Sequence, residues 1–180
     1  MSIFKRICAA AAISALSVTV AAAQTQPNVG VHKDWSVFAS GEGTAKTCWI
    51  VSRPTSKTAT RGGKTTQVKR GDIFLMVSVR PGDGVKNEVS YFSGYPFKPG
   101  SEVEITVGSN KLIMFTGDGD LDEIAWLPTP EDDDAAVARF RAGARAKLKA
   151  ESARGTITVD TFSLSGFTAA IKAASDMCKS

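Results

Sequence analysis

The chain has 180 residues, 43% of them hydrophobic and 22% charged, a make-up that fits one folded domain and excludes wholesale disorder. One histidine and three cysteines exclude a multi-histidine metal site, and zinc sites built from four cysteines or from two cysteines and two histidines. A net charge of +4, from 22 Lys and Arg against 18 Asp and Glu, is too mild to point to nucleic acid.

Residues 1–23 read as a cleaved signal peptide. Lys5 and Arg6 form its basic start, Ile7 to Val20 its apolar stretch, and Ala21-Ala22-Ala23 the small residues before a cleavage point at Gln24. The apolar stretch is short for a membrane span, which takes about 20 residues. Cys8 follows Lys5-Arg6-Ile7, which is not a lipoprotein signal. Removal of this segment leaves 157 residues, a net charge of +2 and two cysteines, Cys48 and Cys178. An even pair in an exported chain points to a disulfide, with two independent thiols as the alternative. Closing a loop of more than about 100 residues in this way stabilises by on the order of 4–5 kcal/mol.

Residues 24–33 are polar, with Pro27 and Gly30, and read as a loose tether that carries His32. Short β-like runs follow, separated by turn residues. Trp35, Val37 and Ala39 alternate in the first, and Cys48 to Ser52 is the second, ended by Pro54. Asp72 to Arg80 is the strongest, rich in β-branched and aromatic residues, and the turn Pro81-Gly82-Asp83-Gly84 precedes Glu88 to Phe92. Pro96 to Gly100 is a break. Glu102 to Val107 then turns through Gly108-Ser109-Asn110 into Lys111 to Thr116. Trp35, Trp49, Phe74 and Phe92 are expected in the core.

The stretch 131–154 has the composition of one long helix, but Gly143 interrupts it and the period then becomes two, with Ala144, Ala146, Leu148 and Ala150 on one side. The pattern predicts a helix over 132–142 and a strand over 145–152, with a single continuous helix as the alternative. Arg154-Gly155 turns into a strand over Thr156 to Phe162, and Ser165 is placed to cap a last helix over 166–178. The expected architecture is therefore mainly β. It is an antiparallel β-sandwich or barrel-like domain over 34–180, with two short helices.

Charge is segregated along the chain. Arg53, Lys57, Arg61, Lys64, Lys69 and Arg70 occur with no acid between them. Arg139, Arg141, Arg145, Lys147, Lys149 and Arg154 form a second basic stretch, while 118–134 holds eight acids and no base. Such stretches are either solvated loops or a basic surface for an anionic glycan, a lipid headgroup or an acidic protein partner. Tyr91, Tyr95 and Phe97 flank the Gly-Pro break, where aromatics either stack on a partner or close one end of the sandwich. Asp118, Asp120 and Asp122 alternate as in a calcium loop, but Glu123 stands where that loop needs Gly and Thr129 where it needs a bidentate Glu. Gly63-Lys64-Thr65 echoes the end of a phosphate-binding loop but has Thr58 where the first Gly belongs. His32, on a tether, lacks the rigid partner a general base requires, and no Ser–Lys spacing stands out. No cofactor is implied.

Several segments, in order, resemble one family. The run Arg154-Gly155-Thr156 and the run from Asp160 to Ala170 are similar to the C-terminal signature of the invasion-associated locus B family. Asp34-Trp35 is similar to its opening strand, and Arg70-Gly71-Asp72 with Phe74-Leu75, then Gly94 to Ser101, to its middle. Many relatives carry a Cys shortly after the Trp of the opening strand, where this chain has Phe38. The resemblance implies an exported protein of Gram-negative bacteria with a β-sandwich-type fold, in a family with members linked to host-cell invasion and with no agreed catalytic motif. The expectation is a periplasmic or secreted protein that binds rather than catalyses. An enzyme or enzyme accessory acting on envelope glycans, or a structural envelope component, is the alternative.

Overall fold

A computed structural model describes residues 28–179; the signal-peptide reading of 1–23 lies outside them. The first three strands are β1 (Asn28–His32), β2 (Trp35–Ser40) and β3 (Thr47–Ser52). A polar hairpin, β4 (Ser56–Arg61) and β5 (Lys64–Thr65), precedes β6 (Phe74–Arg80) and β7 (Val85–Phe92). Next come β8 (Glu102–Val107), β9 (Asn110–Thr116), the short β10 (Ile124–Trp126) and helix α1 (Pro130–Ala142). The chain ends on β11 (Arg145–Glu151), β12 (Ile157–Ser163) and helix α2 (Phe167–Cys178).

All pairings are antiparallel, in the order β1-β2-β3-β6-β7-β10-β9-β8-β11-β12-β4-β5, and the edges β1 and β5 do not meet. The sheet doubles back on itself. The Tyr91 hydroxyl on β7 donates to Asp160 on β12 at 2.5 Å, and Trp35 Nε1 on β2 donates to the Ser163 carbonyl on β12 at 3.1 Å. Strands far apart in the sheet order therefore face each other as two layers of a β-sandwich. Trp35, Tyr91, Phe140, Phe162, Phe167, Leu148 and Ile171 fill the space between.

Period two decides the ambiguous stretch. In β11, Ala146, Leu148 and Ala150 are buried and Arg145, Lys147 and Lys149 exposed, so the helix ends at Ala142 and a strand follows. Helix α1 begins two residues earlier than its composition indicates. Pro130 occupies its first turn, and Thr129 accepts the Asp132 amide at 3.2 Å while its hydroxyl donates to the Asp132 carboxylate at 2.8 Å.

Four expectations need correction. Residues 28–32 are not tether but strand β1, whose backbone pairs with β2 although Val29 and Val31 stay exposed. Ser165 does not cap α2. The cap is Gly166, in a left-handed conformation with φ +90, because the turn between β1 and β2 presses on it and leaves no room for a side chain. Phe74, Phe92 and Trp49 are half-buried on the outer face of the sheet, where Phe74 stacks on Phe92 at 4.2 Å and Trp49 on Phe38 at 5.7 Å. Part of the basic stretch 53–70 is strand: Gly62 and Gly63, both at positive φ, form the two-residue turn that pairs Arg61 with Lys64. Cys48 on β3 and Cys178 at the end of α2 form a disulfide, with Cα atoms 5.9 Å apart.

Candidate functional site

The site is built on one buried ion pair. Arg70, in the segment between β5 and β6, reaches between the layers to Asp160 on β12. Two parallel hydrogen bonds join them, Nη1 to Oδ1 at 2.7 Å and Nη2 to Oδ2 at 2.6 Å, and the side chains are 6% and 0% exposed. Arg70 also donates to the Ser93 carbonyl from Nε at 2.9 Å and from Nη2 at 2.6 Å, and to the Tyr91 hydroxyl at 3.1 Å. Its guanidinium lies 4.8 Å from the Tyr95 ring centroid, a cation–π contact. Burial works against the Arg70 charge, but the bonds to Asp160 outweigh it and hold the guanidinium above its ordinary pKa. Burial, reinforced by the Asp160 carboxylate, pushes the Tyr91 phenol well up. Burial also raises the Tyr95 phenol, which shares a 2.6 Å hydrogen bond with the Thr158 hydroxyl.

Arg70, Tyr95 and Thr158 of this network form the floor of a cleft of about 590 Å³, with Asp160 and Tyr91 beneath them. Beside the floor the Gly71 amide donates to the Gly94 carbonyl at 2.8 Å, and their backbones are so close that a Cβ on Gly94 would sit 2.7 Å from the Gly71 oxygen. The rim carries Arg61 on β4, Lys69, and Arg154 from the turn between β11 and β12, with Glu123 as the acidic lining residue. Arg61 is oriented by Thr156, which accepts from Nε at 2.9 Å and Nη2 at 2.6 Å, leaving Nη1 for another partner. The two basic stretches, separate in sequence, thus contribute to one concavity. So do three of the segments that carry the family resemblance: Arg70-Gly71, Gly94-Tyr95-Pro96 and Arg154-Gly155-Thr156.

The remaining candidates are dispersed. Arg53 is exposed and paired with Asp72 at 2.9 Å, and the hydrogen bond from Arg53 holds the Asp72 carboxyl below its usual range. Lys57 and Lys64 are exposed on β4 and β5. Arg70, Tyr91 and Phe97 are corrected as partner-surface residues: Phe97 and Tyr91 are buried at 3% and 0% exposure, and Arg70 is committed to Asp160. Tyr95, half-buried, reaches the cleft. Asp118, Asp120 and Asp122 lie around the 3₁₀ turn Gly119–Leu121, and the described residues contain no group of three or more His, Cys, Asp or Glu that could hold a metal ion. Sequence reasoning missed Asp160 and Thr156. Asp160 alternates with the buried Thr158 and Phe162 on an inward strand face, and a carboxylate at such a position was the available signal for a buried partner.

The family model described as "Invasion associated locus B (IalB) protein" matches residues 35–175. The fold is similar to that of the crystal structure of invasion associated protein B from Bartonella henselae. The TM-score is 0.57 at 16% sequence identity, over 84% of this chain and 98% of that one. No curated protein sequence matches the chain.

Proposed function

The chain belongs to the invasion associated locus B family, and we propose that it is an exported binding protein of the bacterial envelope or exterior that takes an anionic partner in the cleft above Arg70. The observation that carries this reading is the convergence of Arg61, Lys69 and Arg154 on a cleft whose inner side is held by the Arg70–Asp160 and Arg70–Ser93 hydrogen bonds. Cations held at a concave, partly desolvated surface attract an anion more strongly than the same charges on a convex face. The disulfide fits an oxidising compartment, periplasmic or extracellular, and no helix among the described residues is long and apolar enough to cross a membrane.

Binding rather than hydrolysis is supported by the carboxylates. Glycoside hydrolysis uses two carboxyl groups flanking the bond to be broken. Glu123, exposed, is the one carboxylate among the lining residues, and Asp160 is fully buried beneath Arg70 and cannot reach a substrate. The test compares dextran sulfate with neutral dextran. The exported protein is expected to bind dextran sulfate saturably and more weakly as salt rises, and the Arg61→Ala/Arg154→Ala variant to bind about tenfold more weakly. Equal binding by wild type and variant, or sustained turnover of an envelope glycan by the purified protein, would overturn the proposal.

A further inference from the structure

This inference rests on the anion-binding reading and concerns which anion the cleft takes. A volume of about 590 Å³ exceeds what a lone sulfate or phosphate fills, so the surface around the charges is part of the recognition. That surface is mixed. Tyr95 and Pro96 offer an aromatic ring and an apolar ring, Gln67 and Ser152 offer polar side chains, and the cations stand at the rim.

A sugar ring has one face of C–H groups and a circumference of hydroxyls, which match those two kinds of lining. A carboxylate is planar and accepts two parallel bonds from a guanidinium fork. Arg61, oriented through Nε and Nη2 by Thr156, keeps its end-on fork, Nη1 and the second Nη2 hydrogen, for such an acceptor. We infer that the cleft binds an acidic saccharide, a uronic-acid-type unit whose ring packs at Tyr95 and Pro96 and whose carboxylate is held by Arg61 and Arg154.

The same surroundings disfavour two other sources of negative charge. A lipid headgroup is reached at a protruding rim whose apolar side chains enter the bilayer. Here Val68, 37% exposed, is the single large exposed apolar side chain among the lining residues. An extended acidic peptide would gain its main-chain hydrogen bonds by adding a strand to an open sheet edge. The neighbouring edge, β5, is two residues long.

The test is calorimetric titration of the disulfide-intact exported protein with tri-galacturonic acid, its methyl ester and phosphatidylglycerol vesicles. Saturable binding of the free acid is expected, at least tenfold weaker for the ester. Arg154→Ala is expected to weaken it tenfold or more, and Tyr95→Leu several-fold. Arg154 is exposed and has no hydrogen-bond or ion-pair partner among the described residues, so its variant folds even if Tyr95→Leu does not. No saturable binding of the free acid, equal binding of the ester, or tighter binding to the vesicles overturns the inference. If dextran sulfate still binds through Arg61 and Arg154, the acidic-saccharide inference alone fails. If that binding is also indifferent to both residues, the anion-binding reading fails with it.

Discussion

Arg70 and Asp160 are 90 residues apart in the chain and share two hydrogen bonds of 2.7 and 2.6 Å at a point closed to solvent. The pair joins the segment before β6 to the opposite layer, so the cleft floor and the layer contact are one structure.

Removing one partner leaves a buried charge without compensation, which costs about 3–5 kcal/mol, whereas removing both charges costs less than the sum of the two losses. Arg70→Met and Asp160→Asn are each expected to lower stability in urea by that order. Arg70→Met/Asp160→Asn is expected to show a coupling of about 1–3 kcal/mol. Strictly additive losses would show that the pair does not act as a unit.

Asp133 gives the stability a pH dependence. It lies on the first half of α1, 9% exposed, and accepts the Val89 amide at 2.9 Å. Burial pushes its carboxyl from 3.8 up to about 6, and Glu88, Asp134 and Asp132 add to the effect. The folded state binds this proton more tightly than the unfolded one. Its contribution is therefore fully present below pH about 4 and lost as pH rises through about 6. Asp133→Asn keeps an acceptor for Val89 and is expected to stabilise at pH 7.5 by about 1–3 kcal/mol, less what the helix N-terminus loses in negative charge. The gain should vanish near pH 4. Melting curves with the same gain at both pH values would contradict this account.

The Cys48–Cys178 bridge closes a separation of 130 residues and anchors α2 against β3. Its reduction, or Cys48→Ala/Cys178→Ala, is expected to cost on the order of 4–5 kcal/mol in chemical unfolding. Peptide mapping without reductant should recover the two cysteine peptides joined. Two alkylatable thiols in the exported protein would refute the bridge.

Gly166 separates close packing from conformational preference. A Cβ there would lie 1.9 Å from the His32 carbonyl oxygen, at φ +90. At Gly62, with φ +56, a Cβ meets nothing within 4 Å. Gly166→Ala is expected to cost about 2 kcal/mol or more and Gly62→Ala about 1 kcal/mol. Equal thermal shifts would show that the β1–β2 turn can move away.

The elements legible in the sequence are those with an apolar face. Strands β2, β3, β6, β8 and β11 alternate buried with less buried residues over most of their length, and each was expected within about two residues. Strand β4 escaped notice because Ala59 is its one buried residue, and β10 because it is three residues long. Both are held by backbone pairing to neighbours that local sequence does not name. The rims of the cleft were visible as basic stretches. Their meeting was not, since it depends on which strands are adjacent.

By itself the sequence determined the antiparallel β class, the two helices, the cysteine pair and the segregation of charge, because each is a local pattern or a count. Tertiary structure alone decided which of the cations among the described residues line the cleft. It withdrew Arg70 into an ion pair with Asp160, tied Arg53 to Asp72, and brought Arg61 and Arg154 to one concavity. The physical reason is that a charge acquires its role from its solvation and its neighbours, and both are set by contacts between residues far apart in the chain.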